Sequence, residues 1–156
     1  MNKIDHKQKK GMVDISGKDV TKRVAIACAK ITMSNAAFKT LLKEGSPKGN
    51  VFETAKVAGV MAAKLTPQLI PMCHPLELNK ATVTYEIDKK KSAIIIKAEV
   101  SYVGRTGVEM EAMVAATTAA LTIYDMMKWA DKAMIISDVK LLHKSGGKSG
   151  TYNRAP

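Results

Sequence analysis

Between Leu69 and Lys80 the chain reads "LIPMCHPLELNK", with Cys73 and His74 side by side between Pro71 and Pro75. Three chemistries compete for this pair. A structural zinc site wants about four ligands at recognisable spacing, such as two cysteines separated by two residues. The other His and Cys residues are His6, Cys28 and His143, which offer no such spacing, so no metal is assigned. A nucleophilic Cys–His pair must lie within hydrogen-bond reach. Neighbours in an extended segment point to opposite sides, and a residue before proline is pushed towards extended conformations. Two readings then remain: a proline-bounded turn with Cys73 packed inward, or a rigid loop presenting a backbone N–H and the His74 imidazole to a ligand.

Other residues carry further candidate chemistry. In "YDMMKW", Asp125 and Lys128 stand three apart on one helical face. With Met126, Met127 and Trp129 around them, a partly buried ion pair is expected, able to tune both groups for proton transfer; the alternative is a surface pair of small energetic value. In "TGVEMEA", Thr106 and Glu109 match a capping box, whereas Glu111 has no evident structural task. Lys48 and Arg105 stand in glycine turns ahead of predicted helices, where unpaired N–H groups make natural anion seats. The segment "KSGGKSG" is not a Walker A loop, because Leu142 stands where that pattern needs glycine. It reads either as a solubilising tail or as a lid whose Lys144, Lys148 and backbone amides close over phosphates.

The elements that must position these groups are legible in outline. The chain has 156 residues, 25 Lys plus Arg against 14 Asp plus Glu, and a formal net charge of +11. That length suits one domain with one core, and the charge favours polyanions, either nucleic acid or phosphorylated metabolites. Aromatics make up only 4%, thin for stacking on single strands, and the basic residues are scattered. A nucleic-acid-binding module is therefore the alternative to an enzyme with a charged pocket. There is no apolar run long enough for a membrane span and no signal-peptide pattern at the start, so a cytoplasmic protein with two reduced cysteines is expected.

Residues 1–20 are Lys-rich and aperiodic, and are expected to be flexible. A single catalytic domain is expected over 21–144, with a flexible tail over 145–156. "RVAIACAKITM" alternates as a strand. "SNAAFKTLLKEG" has a helix cap and a closing glycine. "GNVFETAKVAGVMAAKLTP" is a clearer helix, with Asn50 as cap, Glu53 in the capping-box position and Pro67 beyond its end. "KATVTYEI" and "SAIIIKAEVSYV" flank a charged turn as a hairpin. A long Ala- and Thr-rich helix follows, then the strand "AMIISDVKLL". The order predicts an α+β sandwich, helices packed on one face of a mostly antiparallel sheet.

Taken together, "MVDISGKDVTKRVAIA", "GNVFETAKVAGVMAAKLTPQLIPMCHPL", "TGVEMEA", "ALTIYDMMK" and "LLHKSGGKSG" resemble the molybdenum cofactor biosynthesis protein C family, the cyclic pyranopterin monophosphate synthases. The resemblance runs from about Met12 to Gly150. It implies a ferredoxin-like subunit in a hexamer built as a trimer of dimers. It also implies a lyase that rearranges (8S)-3',8-cyclo-7,8-dihydroguanosine 5'-triphosphate to cyclic pyranopterin monophosphate and releases pyrophosphate. By motif, Asp125 falls on the family's catalytic aspartate and Lys128 on the lysine beside it. Met72, Cys73 and His74, with Met110 and Glu111, fall on its substrate contacts, and Arg23, Lys48, Lys64, Glu109 and Lys144 on other pocket positions. Met72 stands where leucine is common, and "EAMVAATT" replaces a more usual "EALTAAS". No cofactor is implied, and a role for Mg²⁺ is left open. Glu111 and Asp125 are fourteen residues apart on one helix, roughly 21 Å at 1.5 Å per residue. If both serve one site they must come from different subunits.

Overall fold

The computed structural model describes residues 11–155. Five strands and four helices follow the order β1 (Thr21–Thr32), α1 (Asn35–Lys43), α2 (Val51–Lys64), α3 (Thr66–Leu69), β2 (Lys80–Asp88), β3 (Ala93–Gly104), α4 (Glu109–Met127), β4 (Ile135–Ser145) and β5 (Tyr152–Asn153). The strands form one antiparallel sheet in the order β2-β3-β1-β4-β5. Its first four strands have the connectivity of two interleaved βαβ units, the ferredoxin-like arrangement, so the expected α+β sandwich is the observed one.

Alternation along β1 and β3 fixes which face is covered. Ala25, Ala27, Ala29 and Ile31 of β1, and Ile94, Ile96, Ala98 and Val100 of β3, are buried, while the residues between them, apart from buried Cys28, are partly exposed and include Lys30, Lys97 and Glu99. On the exposed face Lys97 pairs with Glu86 at 2.5 Å and Lys80 with Glu99 at 2.8 Å. Such cross-strand opposite charges help hold the register.

α4 lies across the buried face and sinks Ala112, Ala115, Ala116, Ala119, Ala120 and Ile123 into the core. Its alanines, opposite the alanines of β1, let helix and sheet come close. α2 packs against α4 at Gly59, where a Cβ would meet the Ala115 carbonyl oxygen at 2.9 Å and the Ala119 methyl at 3.4 Å. Fully buried Ile31, Ile94, Ile96 and Ile123 each contribute about 2 kcal/mol of apolar burial.

Several local expectations are corrected. Asn50 does cap α2, its side chain accepting from Glu53 N at 3.0 Å, but the Glu53 carboxylate turns to Lys56. At α4 the residue in the cap position is Val108, with no side-chain cap bond; Thr106 and Glu109 form no capping box, because Glu109 is drawn to Lys144 at 2.9 Å. Pro67 lies just beyond the end of α2, as expected, and also sits in the first turn of α3, where its missing N–H costs nothing. After Ser145 the chain turns back through Gly146 and Gly147, both at positive φ, and pairs as β5 with β4. The Arg154 side chain donates to the Leu141 carbonyl at 2.7 Å. His6 lies outside the described residues, as do 1–10 of the expected basic segment.

Candidate functional site

Opposite ends of α4 hold the candidate residues. At its C-terminal end, Asp125 lies between two lysines: Lys128 at 2.7 Å, one helical turn on, and Lys48 at 2.6 Å, far away in sequence. Lys48 is delivered by the turn Ser46-Pro47-Lys48-Gly49, closed by a bond from Gly49 N to the Ser46 carbonyl at 2.9 Å. Gly49 takes φ +110 there, open to a residue without Cβ. The Ser46 hydroxyl donates to the Met126 carbonyl at 2.7 Å and accepts from Lys48 N at 3.2 Å, anchoring the turn to the end of α4. Ser46 was not singled out in the sequence, although Ser and Pro in the first two places with Gly in the fourth is a turn signature.

The expected partial burial of Asp125 and Lys128 is corrected: their side chains are 51% and 52% exposed. Met126 and Met127 point into the core instead, and Trp129 is itself exposed. Hydrogen bonds from Lys128 and then Lys48 hold the Asp125 carboxyl down at about 2, and the same pairing raises Lys128. Asp125 is thus ionised and flanked by two cations, which make it a weaker base than a free carboxylate.

At the other end, the 72–74 loop meets the first turn of α4. Met72, Cys73, His74, Met110 and Glu111 line one cavity of about 210 Å³. Glu111 is 3% exposed, and burial pushes its carboxyl up to about 7, with the Glu109 charge adding to the shift. A carboxyl at that value gives or takes a proton near neutrality. The Cys73 thiol is raised by burial and by the Glu111 charge, which disfavours thiolate and agrees with a loop that binds rather than attacks. A bond from Cys73 N to the Ile70 carbonyl at 3.0 Å pins the turn.

Beside this cavity lies a more polar one. Glu109 and its partner Lys144 line it with Arg23, which is 9% exposed and donates from Nε to the Gly104 carbonyl at 3.2 Å. Lys144 also reaches Ser149 Oγ at 3.2 Å. Glu109 folds over Gly107, where a Cβ would overlap its carboxylate, and Gly147 lies flat on the Arg23 guanidinium in the same way. Arg105 does not sit at a helix start: α4 begins four residues later, and Arg105 Nε is bonded to the Lys18 carbonyl at 3.0 Å. Lys48 likewise precedes α2 and is engaged by Asp125. Neither is a helix-terminus anion seat.

Lys64 closes α2. Because Lys48, just before α2, meets Asp125 while Gly59 meets Ala115, α2 runs antiparallel to α4 and Lys64 falls towards the Glu111 end. The candidates therefore divide in two. Arg23, Lys64, Met72, Cys73, His74, Glu109, Met110, Glu111 and Lys144 gather at one end of α4; Lys48, Asp125 and Lys128 gather at the other. Among the described residues, no group of three or more His, Cys, Asp or Glu comes together to hold a metal ion. His143 faces Asn153 at 2.7 Å. No helix among them is long and apolar enough to cross a membrane.

Known proteins share this chain over nearly its whole length. A cyclic pyranopterin monophosphate synthase of Desulforapulum autotrophicum is 54% identical over 149 residues, covering 96% of this chain and 91% of the relative. The protein of that name from Desulfatibacillum aliphaticivorans is 51% identical over 149 residues, covering 96% and 94%. That from Pelotomaculum thermopropionicum is 48% identical over 151 residues, covering 97% and 89%. The family model described as "MoaC family" matches residues 12–147, which takes in both clusters and the strands and helices that carry them, and the chain belongs to the MoaC family.

Proposed function

We propose that this chain is a cyclic pyranopterin monophosphate synthase of molybdenum cofactor biosynthesis. It rearranges (8S)-3',8-cyclo-7,8-dihydroguanosine 5'-triphosphate and closes a cyclic phosphate. In that step a substrate oxygen attacks the α-phosphorus, the bond from that phosphorus to the bridging oxygen breaks, and pyrophosphate departs. This makes it a phosphorus–oxygen lyase. Glu111, with Met110 and the Met72–His74 loop, holds the purine-derived ring. Asp125 accepts a proton from the reacting group, and Lys48 and Lys128 neutralise charge on oxygens nearby, work that positioned cations do well in phosphoryl chemistry. No step requires a metal from the protein, and Mg²⁺ on the triphosphate is compatible with each of them.

The observation that carries the reading is the division of the site residues between the two ends of α4. One small ligand cannot bridge roughly 21 Å of helix, so the working site joins the Glu111 end of one chain to the Asp125 end of another. A two-fold antiparallel pairing of α4 with its copy meets that need and gives two equal pockets per dimer. Three such dimers form the homohexamer. The pair of unbridged thiols, Cys28 and Cys73, suits a reducing cytoplasm.

The test is complementation. Glu111→Ala and Asp125→Ala proteins are each inactive in pyrophosphate release; dissociated together and reassembled, they regain up to about a quarter of wild-type activity, because half of random dimers are mixed and each mixed dimer keeps one intact pocket of two. Proven subunit exchange without recovered activity would put both carboxylates in one chain's site and end this reading. Wild-type protein that releases no pyrophosphate from the substrate would end it sooner.

A further inference from the structure

β5 has two residues, too few to hold the returning chain by its ladder alone. It lies along the outer edge of β4, where Tyr152 pairs with Lys144 and Asn153 with His143. Side chains reinforce the pairing. Asn153 Oδ1 stands 2.7 Å from His143 Nδ1. Arg154 then makes two ties: its backbone N donates to the Leu142 carbonyl at 2.8 Å, and its Nε donates to the Leu141 carbonyl at 2.7 Å. Arg154 thus fastens the clasp from just beyond the strand.

The clasp closes the turn over 146–151. Gly146, Gly147 and Gly150 hold φ +96, +79 and +64 there, and glycines give a released segment many alternative conformations. Within the turn Gly150 N donates to the Gly147 carbonyl at 3.1 Å. Closed, the turn sets Ser149 Oγ at 3.2 Å from Lys144 Nζ and lays Gly147 on the Arg23 guanidinium, with no room for a Cβ. It walls the cavity that Arg23, Glu109 and Lys144 share. Lys144 is held twice: its backbone lies between Ala25 of β1 and Tyr152 of β5, its side chain between Glu109 and Ser149. Without the clasp the turn would join the sheet at Ser145 alone. The entropy of ordering it would then fall on whatever binds there.

We propose that Arg154 is a positioning residue, whose two bonds to β4 hold the 146–151 turn closed over Arg23 and Lys144 so that the cavity meets its substrate already formed. The proposal rests on the synthase reading above and adds to it a residue beyond every motif read in the sequence. Its described bonds go to the carbonyls of Leu141 and Leu142 and not to a candidate site residue. Arg154 therefore acts through the backbone of the turn rather than through its charge. A wall formed in advance spares an ordering cost at binding, so its loss shows in KM rather than in kcat.

Steady-state kinetics and amide hydrogen exchange on the full-length wild type, Arg154→Met and Arg154→Gln test this. Methionine keeps the stem and loses the donor. Glutamine loses the charge but carries an N–H as many bonds from Cα as Nε, so it can remake the tie. Arg154→Met should raise KM about fivefold, the size of one lost hydrogen bond, and leave kcat within about twofold. Exchange of the Gly150 and Arg154 amides should quicken, while the amides of β1 and β3 keep their rates. Arg154→Gln should bring both readouts back close to wild type. A glutamine variant as impaired as the methionine one would show that the charge counts rather than the tie, and overturns the proposal. Wild-type KM or unchanged exchange at Gly150 and Arg154 in Arg154→Met overturns it as well. So does exchange that quickens across β1 and β3 together with the turn, the mark of a merely structural residue. If the wild-type protein turns over no substrate, the synthase reading falls, and exchange in the turn still decides whether Arg154 holds it.

Discussion

Replacing Glu111 by glutamine reverses a cost built into the fold. The Glu111 carboxyl, 3% exposed on the first turn of α4, is raised from an ordinary 4.5 to about 7, first by burial and then by the Glu109 charge. A carboxyl whose value is higher folded than unfolded stabilises the native state below the unfolded value. That stability is lost as pH rises through the folded value. At 1.36 kcal/mol per unit, the wild-type protein loses about 3 kcal/mol between pH 4.5 and 8 on this account. Glutamine keeps the shape and the hydrogen bonding of a protonated carboxyl but never ionises. Urea denaturation at fixed protein concentration should therefore give Glu111→Gln the same stability as wild type near pH 4.5. At pH 8 the variant should lead by up to about 3 kcal/mol. Parallel stability curves for the two proteins across that range would show that Glu111 is not held protonated by burial, and its capacity to exchange a proton near neutrality would go with it.

The other site residues make further predictions. Asp125→Asn should lower turnover by about a hundredfold or more and leave the acidic limb of the remaining pH–rate profile in place, since the Asp125 carboxyl at about 2 does not titrate there; a limb that moves on this change would contradict the assignment. Ser46→Ala removes the bonds that tie the Lys48 turn to Met126 and to Lys48 N, so it should cost about 1 kcal/mol in a urea titration and lower kcat with less effect on KM. Gly107→Ala has room in backbone conformation but none for the Glu109 carboxylate. It should free Lys144 and raise KM by about tenfold, a change of about 1.4 kcal/mol, with little change in melting temperature; unchanged kinetics would show that the Glu109–Lys144 pair does not shape the site.

What could be read in the sequence follows from what is local. The alternation of "SAIIIKAEVSYV" places Ile94, Ile96, Ala98 and Val100 inside without any knowledge of the partner strand. Asn50 caps α2 as its type requires. The features that were missed are set by distant groups. Thr106 and Glu109 carry the spacing of a capping box, yet Glu109 is taken by Lys144, thirty-five residues on, and the pull of that partly buried pair outweighs a local cap. Lys48 reads as a helix-start cation until α4 brings Asp125 to it, seventy-seven residues later. The methionines around Asp125 imply shelter, but the helix turns them inward and leaves the carboxylate outside. β5 has only two residues, too few to show a period. The motifs that carried the family resemblance name the candidate residues, and helix spacing alone already parts Glu111 from Asp125; the fold adds which of the others join each end.

α4 also sets what changes the chain can tolerate. Its nineteen residues form a strut with a candidate site group near each end and the sheet along one side. One residue inserted at its middle would turn the far end by about 100°, carrying Asp125 away from Lys48 and rolling Ala119 and Ile123 out of the core. Seven residues would restore the facing to within about 20° but move the two ends about 10 Å further apart. Added or lost residues are thus better borne by the turns and termini, and the central helix acts as a gauge whose length is fixed by what stands at its two ends.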